Sequence, residues 1–365
     1  MGTPKFVSPN SSVYAILKET VYSHFNKQKL SPTGNYRLYL KAFILLILYS
    51  GIYLHLIFFT PSAFIALFEC VVLGLLTAGI GFNIMHDGAH GSFSNRPWVN
   101  RFAALTIDFL GASSFMWHSK HNIVHHTYTN IDTIDDDIEA RPFLRLAPTQ
   151  KYLLIHRYQY FYFWLFYGLL YIVWIFYTDY KKYFTGKVGN VPIKKMTFPD
   201  HLLFWVFKIL HIVMFVLLPV YIMGFQYWII GFLVYTITAG LILSFVFQLA
   251  HTVEETAFPV PVQPANKIQD EWAIHQLKTT ANFATKNKII TWFTGGLNYQ
   301  VEHHLFPKIS HIHYPVVSQI IKKKCVELGL PYIEHPKMST AIKSHIAYLK
   351  KLSINPQWPI AKYVK

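Results

Sequence analysis

The 365-residue chain is short of charge and of cysteine. Asp, Glu, Lys and Arg make up 14% of it, against 53% hydrophobic and 17% aromatic residues, and the mean hydropathy is +0.28. Soluble domains carry about a quarter charged residues, so this balance argues against an ordinary soluble globule. The two cysteines, Cys70 within an apolar run and Cys325 after a lysine run, exclude a disulfide framework and a cysteine-held metal, and suit a reducing compartment. Paired Glu-x-x-His elements and the His-Glu-x-x-His pattern are absent too, which excludes the soluble carboxylate di-iron class and the zinc proteases. The first forty residues lack the apolar core and cleavage site of a secretory signal, so none is expected. Phe6 stands where an N-myristoylation signal needs Ser or Thr. There is no low-complexity tract and no nucleic-acid recognition motif, and no nucleic-acid partner is expected.

Long apolar runs are what the chain has in quantity. Ala42 to Phe59, Ala63 to Met85, Leu202 to Met223 and Trp228 to Ala250 each approach the roughly 20 residues that span a bilayer. The turns Thr60-Pro61-Ser62 and Gly224-Phe225-Gln226-Tyr227 carry no Lys or Arg, whereas the other connections are rich in them, so both hairpin tips point away from the cytoplasm. A fifth apolar stretch, Gln159 to Thr178, would break this parity if it crossed. Its wealth of Tyr, Phe and Trp suits an interfacial or re-entrant helix. The expectation is an all-α integral membrane protein with four transmembrane helices in two hairpins, an interfacial helix and a cytoplasmic helical cap. Its parts are a cytoplasmic N-terminal arm (1–41), a first hairpin (42–85), a cytoplasmic loop (86–200), a second hairpin (201–250) and a C-terminal cap (251–365).

Seven of the nineteen histidines fall in three clusters at the edges of these runs: His86/His90, His121/His125/His126 and His303/His304. Positions i and i+4 of a helix share a face, so His86 and His90 can grip one metal from adjacent turns. Adjacent histidines such as His125 and His126 splay their rings, so that neighbours can serve different metals. Seven imidazoles exceed what one tetrahedral zinc can use, which favours a two-metal site of higher coordination number, with iron the natural candidate. Parity puts every cluster on the cytoplasmic side. The last crossing delivers an eighth imidazole, His251, at the depth of His86.

The three boxes, His-Asp-Gly-Ala-His, His-Asn-Ile-Val-His-His and Gln-Val-Glu-His-His, resemble those of the membrane fatty acid desaturases. The longer runs His121 to Asn130 and Asn298 to Pro307 resemble the bacterial linoleoyl-CoA, or front-end, branch. The resemblance extends from about Ala42 to about Tyr314. It implies a di-iron centre (Fe2+ when reduced) held by His86, His90, His121, His125, His126, His251, His303 and His304, on the cytoplasmic side of a bacterial inner membrane. It also implies an acyl substrate, either acyl-CoA or a membrane lipid, together with dioxygen. Gln300 stands where many relatives have histidine, and it or Asn298 is a candidate to hold a metal or a water. Two electrons must come from an external ferredoxin or haem protein, because the chain lacks the His-Pro-Gly-Gly signature of a fused haem domain and room for one before Ala42. A fatty acyl hydroxylase on the same scaffold is the alternative.

Ligand imidazoles need a second partner to fix their tautomer, and Asp87, Asp135, Asp136, Asp137 and Glu302 are placed to supply it. His118 reads as a surface histidine. Within the first hairpin, His55 and Glu69 should meet in a structural hydrogen bond remote from the metals, since an unpartnered carboxylate is costly there. Lys208 should snorkel to the cytoplasmic surface. The net charge of +15 fits anionic headgroups, and also an acidic redox donor or coenzyme A phosphates.

Overall fold

The computed structural model describes residues 3–8, 12–59 and 61–354. Met1, Gly2, Thr60 of the first turn and the basic tail beyond Ile354 lie outside them. The chain is mostly helical. Among the described residues five helices are long and apolar enough to cross a membrane: Tyr36–Phe58, Ala63–His90, Leu154–Thr185, Phe198–Met223 and Phe225–His251. Their outward faces carry exposed Phe43, Ile47, Phe64, Phe68, Leu165, Ile209 and Ile230. An apolar belt of that extent calls for lipid.

The Phe225–His251 helix is the axis of the bundle, packed against both Ala63–His90 and Leu154–Thr185. Two glycine contacts set the spacing. A Cβ on Gly74 would come within 2.6 Å of Tyr235 O, and one on Gly240 within 2.2 Å of Gly168 O. Small residues at such crossings let backbones approach, which is how apolar helices associate where burial from water offers no drive. Cys70 lies beside Gly231, and Phe82 meets Phe247 edge-on. The Ala63–His90 and Phe225–His251 helices therefore run parallel and deliver His86 and His251 to the same end.

The fifth helix is not laid flat along an interface. Phe163 meets Phe245, Tyr171 meets Tyr235 and Phe176 meets Phe232, so it runs antiparallel beside the axial helix. Its far end nevertheless returns to the histidine side, where Lys182 Nζ lies 2.9 Å from Asp136 Oδ2. A π-helical segment, Trp174–Thr178, interrupts it between these contacts.

Three local expectations change. Residues 13–28 of the N-terminal arm form a helix whose Leu17, Val21 and Phe25 are buried against Leu277, Leu305, Val317 and Ile321 of the C-terminal cap. The arm and the cap share one core, because an i, i+4 apolar stripe underlies the polar composition. The first membrane helix starts at Tyr36 instead of Ala42, capped by Asn35, whose side chain accepts from Arg37 N. Lys208 does not snorkel. It is buried, with Nζ 3.0 Å from Asp179 Oδ2 and donating to Gly111 O (2.7 Å) and Ile175 O (3.0 Å). Burial of the cation is tolerated because Asp179, itself buried, neutralises it. His55 Nδ1 and Glu69 Oε1 do meet, at 2.8 Å, away from the histidine clusters.

Candidate metal centre

Helical geometry at the boxes is tuned by π-turns. Gly81–Met85 and His118–His125 are π-helical, and the His86 and His126 amides donate five residues back, to Gly81 O and His121 O. An i→i−5 helix is under-wound relative to an α-helix, so His121 faces both His125 and His126, whose own rings splay 81° apart at 5.8 Å and enter different groups. π-bulges of this kind concentrate at functional sites.

All eight proposed ligands are buried and gather in one place. His86, His90, His121 and His303 form one group, and His125, His251 and His304 a second. His126 bridges them through a third group with His303 and His304; in each group the ligand atoms lie within 4.8 Å of one another. His86 Nε2 and His126 Nε2 stand 3.3 Å and 3.2 Å from His121 Nε2. The Nε2 atoms of His90, His251, His303 and His304 are buried without a hydrogen-bond partner among the described residues. A buried polar atom left so costs about 1–3 kcal/mol, and here several such lone pairs converge. The donor set therefore fits two cations in adjacent imidazole cages. Burial holds His121, His126, His303 and His304 well below the ordinary histidine pKa, which keeps them neutral, as ligation requires. His125 is the exception: burial lowers it, but the carboxylates of Asp135 and Asp137 hold it above the ordinary value.

Four of the eight rings are fixed through the opposite nitrogen. His125 Nδ1 donates to Asp135 Oδ1 (3.0 Å) and lies 3.2 Å from Asp137 Oδ2. His251 Nδ1 donates to Thr279 O (3.2 Å), His304 Nδ1 to Gln276 Oε1 (2.8 Å), and His303 Nδ1 pairs with Tyr314 Oη (3.2 Å). His121 is stacked on Trp117 with ring centres 4.3 Å apart. Gln276, Thr279, Tyr314 and Trp117 went unnoticed in the sequence. The first two lie on the short helix Trp272–Thr279, which carries no histidine box. Asn130, which closes the second box's run, adopts φ +60° and donates to His251 O (2.8 Å), tying two boxes together.

Five of the expected residues do other work. Asp87 turns from the ligands: its Oδ2 accepts from Ser310 Oγ (2.7 Å) and lies 3.0 Å from His311 Nδ1, joining the first box to the cap. Asp136 pairs with Lys182. Glu302 accepts from Asn282 (2.8 Å) and Tyr332 (2.8 Å), and burial pushes it up to about 7. Asn298 donates to Thr291 (3.0 Å) and accepts from Thr294 (3.4 Å), so its amide serves the loop instead of the centre. Gln300 donates its amide to Leu297 O (2.8 Å). His118 is exposed, as expected.

A small apolar cavity is lined by His86, Phe82, Met85, Trp117, Leu243 and Phe247. Tyr171, also in its lining, donates to Leu110 O and pairs with Tyr235 (3.0 Å), which accepts from Thr77 (3.2 Å). The imidazole groups thus lie beside an apolar cavity, with His86 belonging to both.

A family model for fatty acid desaturases matches residues 60–336. The chain is 37% identical to an sn-1 linoleoyl-lipid 6-desaturase of Arthrospira platensis over 344 residues, covering 93% of this chain and 92% of that protein. A second sn-1 linoleoyl-lipid 6-desaturase, from Synechocystis, is also 37% identical, over 92% of this chain and 94% of its own length. An acyl-lipid (8-3)-desaturase of Physcomitrium patens is 36% identical over 94% and 72%. The chain belongs to the fatty acid desaturase family, oxidoreductases that introduce double bonds into acyl chains.

Proposed function

We propose that this desaturase works with two iron ions, one in the cage of His86, His90, His121 and His303, the other in that of His125, His251 and His304, with His126 between them. The convergence of unpartnered imidazole nitrogens into two adjacent groups is the observation that carries the reading. When bound, the irons with dioxygen and two external electrons supply the oxidant that takes hydrogen from an unactivated methylene, which no side chain can do. The chain's own residues do the rest. Phe82, Leu243 and Phe247 hold the acyl chain beside His86 and exclude water. Asp135, Gln276, Thr279 O and Tyr314 keep the rings oriented.

The substrate we propose is an acyl chain esterified in a membrane lipid, with the new bond on the carboxyl side of existing ones. The acyl-lipid names of the relatives support the lipid linkage, and the front-end resemblance supports the position. A four-crossing topology, with Leu154–Thr185 re-entrant and the centre at the cytoplasmic face of a bacterial inner membrane, is supported by the shared side of its two ends and by the lysine-free hairpin tips. Expression in a host lacking the activity, with mass spectrometry of its lipids, tests the function. A loss of two hydrogens is expected; a gain of one oxygen would instead show a hydroxylase. Fewer than two irons per active chain would refute the centre.

A further inference from the structure

Removing two hydrogens from an acyl chain and reducing dioxygen to two waters takes up two further electrons and two protons. A one-electron carrier is therefore oxidised twice per double bond. We infer that an acidic one-electron carrier protein docks on the aromatic face made by Phe6, Tyr14, Tyr128 and Trp272, and that Trp272 is the point at which charge enters toward His126. The inference rests on the two-iron reading above.

The Trp272–Thr279 helix lies between the centre and this face. Its inner side is committed to the ligands: Trp272 Nε1 donates to His126 O (3.0 Å), Gln276 Nε2 donates to the same oxygen (3.1 Å), and Gln276 Oε1 and Thr279 O hold His304 and His251. Trp272 is only partly buried. It is thus a partly buried indole one hydrogen bond from the backbone of the bridging imidazole. Aromatic rings flank it in two sets, one on Tyr14 and one on Phe6. Tyr14 meets Trp272 edge-on at 5.2 Å, and Phe6 lies 5.1 Å from His275 and stacks at 6.1 Å on Tyr128, two residues from His126. Partly exposed Trp and Tyr are the residues that anchor protein interfaces.

Charge selects the partner. Lys5 and Lys267 sit opposite one another in a two-stranded parallel pairing beside Phe6, and Lys18 follows Tyr14 by one helical turn. All three are exposed and free of ion pairs among the described residues. Nearby carboxylates are mostly spent: Asp270 pairs with Lys278 (2.7 Å), and Glu271 accepts from Ser12 Oγ (2.6 Å) and Val13 N (2.8 Å), leaving Glu19 beside the rim. The opposite side of the centre is the apolar cavity, which a water-soluble carrier cannot reach. A basic rim around an aromatic anchor steers an acidic protein.

The test uses iron-loaded enzyme in nanodiscs, with a reduced plant-type [2Fe–2S] ferredoxin as the probe. Reversing the rim charges (K5E with K267E) should weaken ferredoxin binding about tenfold at low salt. The difference should vanish near 1 M salt, where the screening length is about 3 Å. Trp272→Phe, which keeps the ring and removes the N–H, should lower the ratio of ferredoxin-driven to dithionite-driven reduction. Unchanged binding in K5E/K267E, an unchanged ratio in Trp272→Phe, or an equal loss from reversing Lys322 and Lys323 elsewhere on the cap would each overturn the docking face. Wild-type enzyme that forms product with dithionite keeps the desaturase reading intact whatever those results; no product with any reductant would overturn that reading itself.

Discussion

Asp135, unlike its neighbour Asp136, should be indispensable to metal binding. Its carboxylate is buried and fully used as an acceptor. Oδ1 takes His125 Nδ1–H (3.0 Å) and Asp137 N–H (3.0 Å); Oδ2 takes Asn130 N–H (2.8 Å) and lies 3.1 Å from His125 Nδ1. Asp135→Asn changes little in shape, yet either orientation of the amide sets an NH2 against a backbone N–H. One charge-assisted bond, about 1.5–3 kcal/mol, is lost, and the freed imidazole can turn. Removing such an outer partner typically weakens metal binding about 10–100-fold. Asp136→Asn loses only its pairing with Lys182 and should cost less than threefold in metal affinity, since that pair touches no imidazole. Iron retention against a graded chelator, measured by elemental analysis on both variants, separates them. If Asp136→Asn releases iron as readily as Asp135→Asn, the ring-orienting role assigned here is wrong, and the run acts only as diffuse negative charge.

Breaking the buried Lys208–Asp179 pair should be expensive. Lys208→Met strands a carboxylate and should lower unfolding free energy by about 3–5 kcal/mol, while Lys208→Met with Asp179→Leu should recover much of it; a single variant as stable as wild type in chemical denaturation would contradict the pairing. Burial pushes Asp108 up to about 7, with Asp179 and Lys208 the nearest charges. Because its folded pKa lies above the unfolded one, its contribution is complete below about pH 4 and fades as pH rises through 7. Wild type should therefore lose stability against Asp108→Asn between pH 4 and 8, by at most about 4 kcal/mol; a constant melting difference across that range would dispose of the argument. Chelation should lower the melting temperature, since iron present at about 100 times its Kd adds about 2.7 kcal/mol. Iron re-addition should restore it, and a chelator-insensitive transition would mean the cages do not bind metal. Gly240→Leu should drive the helices apart at Gly168, with a loss of folded protein by size-exclusion chromatography, whereas Gly51, with nothing near its Cβ, should accept the same change.

What the sequence disclosed and what it hid divide along a physical line. The ligand histidines were legible because each box is a covalent spacing of one to five residues, and because apolar runs of known length fix where such spacings emerge from a bilayer. His251 followed from counting residues down a span. The partners of those histidines were not legible, because a ring's second nitrogen finds whatever the fold brings across: Gln276 reaches His304 over 28 residues and Thr279 reaches His251 over the same interval. Adjacency in the chain misled where it seemed most helpful. Asp87 and Glu302 touch ligands through the peptide bond, yet a helix turns successive residues about 100° apart, so a neighbour in sequence does not share a ligand's direction. Their carboxylates instead fasten the boxes to the cap through Ser310 and Tyr332.

The intramembrane charges complete that argument. Lys208 reads from sequence as a snorkelling cation because nothing within its own span can pair with it. Asp179 comes from another helix, and Gly111 O and Ile175 O from a loop and a π-turn, the turn freeing a carbonyl that a regular helix would have used. One ammonium thereby ties its own helix to the Leu154–Thr185 helix and to the loop at Gly111, which carry Tyr171, Trp174 and Leu110, all lining the cavity at His86. A polar group that composition marks as a cost is, in the fold, what ties together the helix and loop that line the apolar cavity beside the imidazole groups.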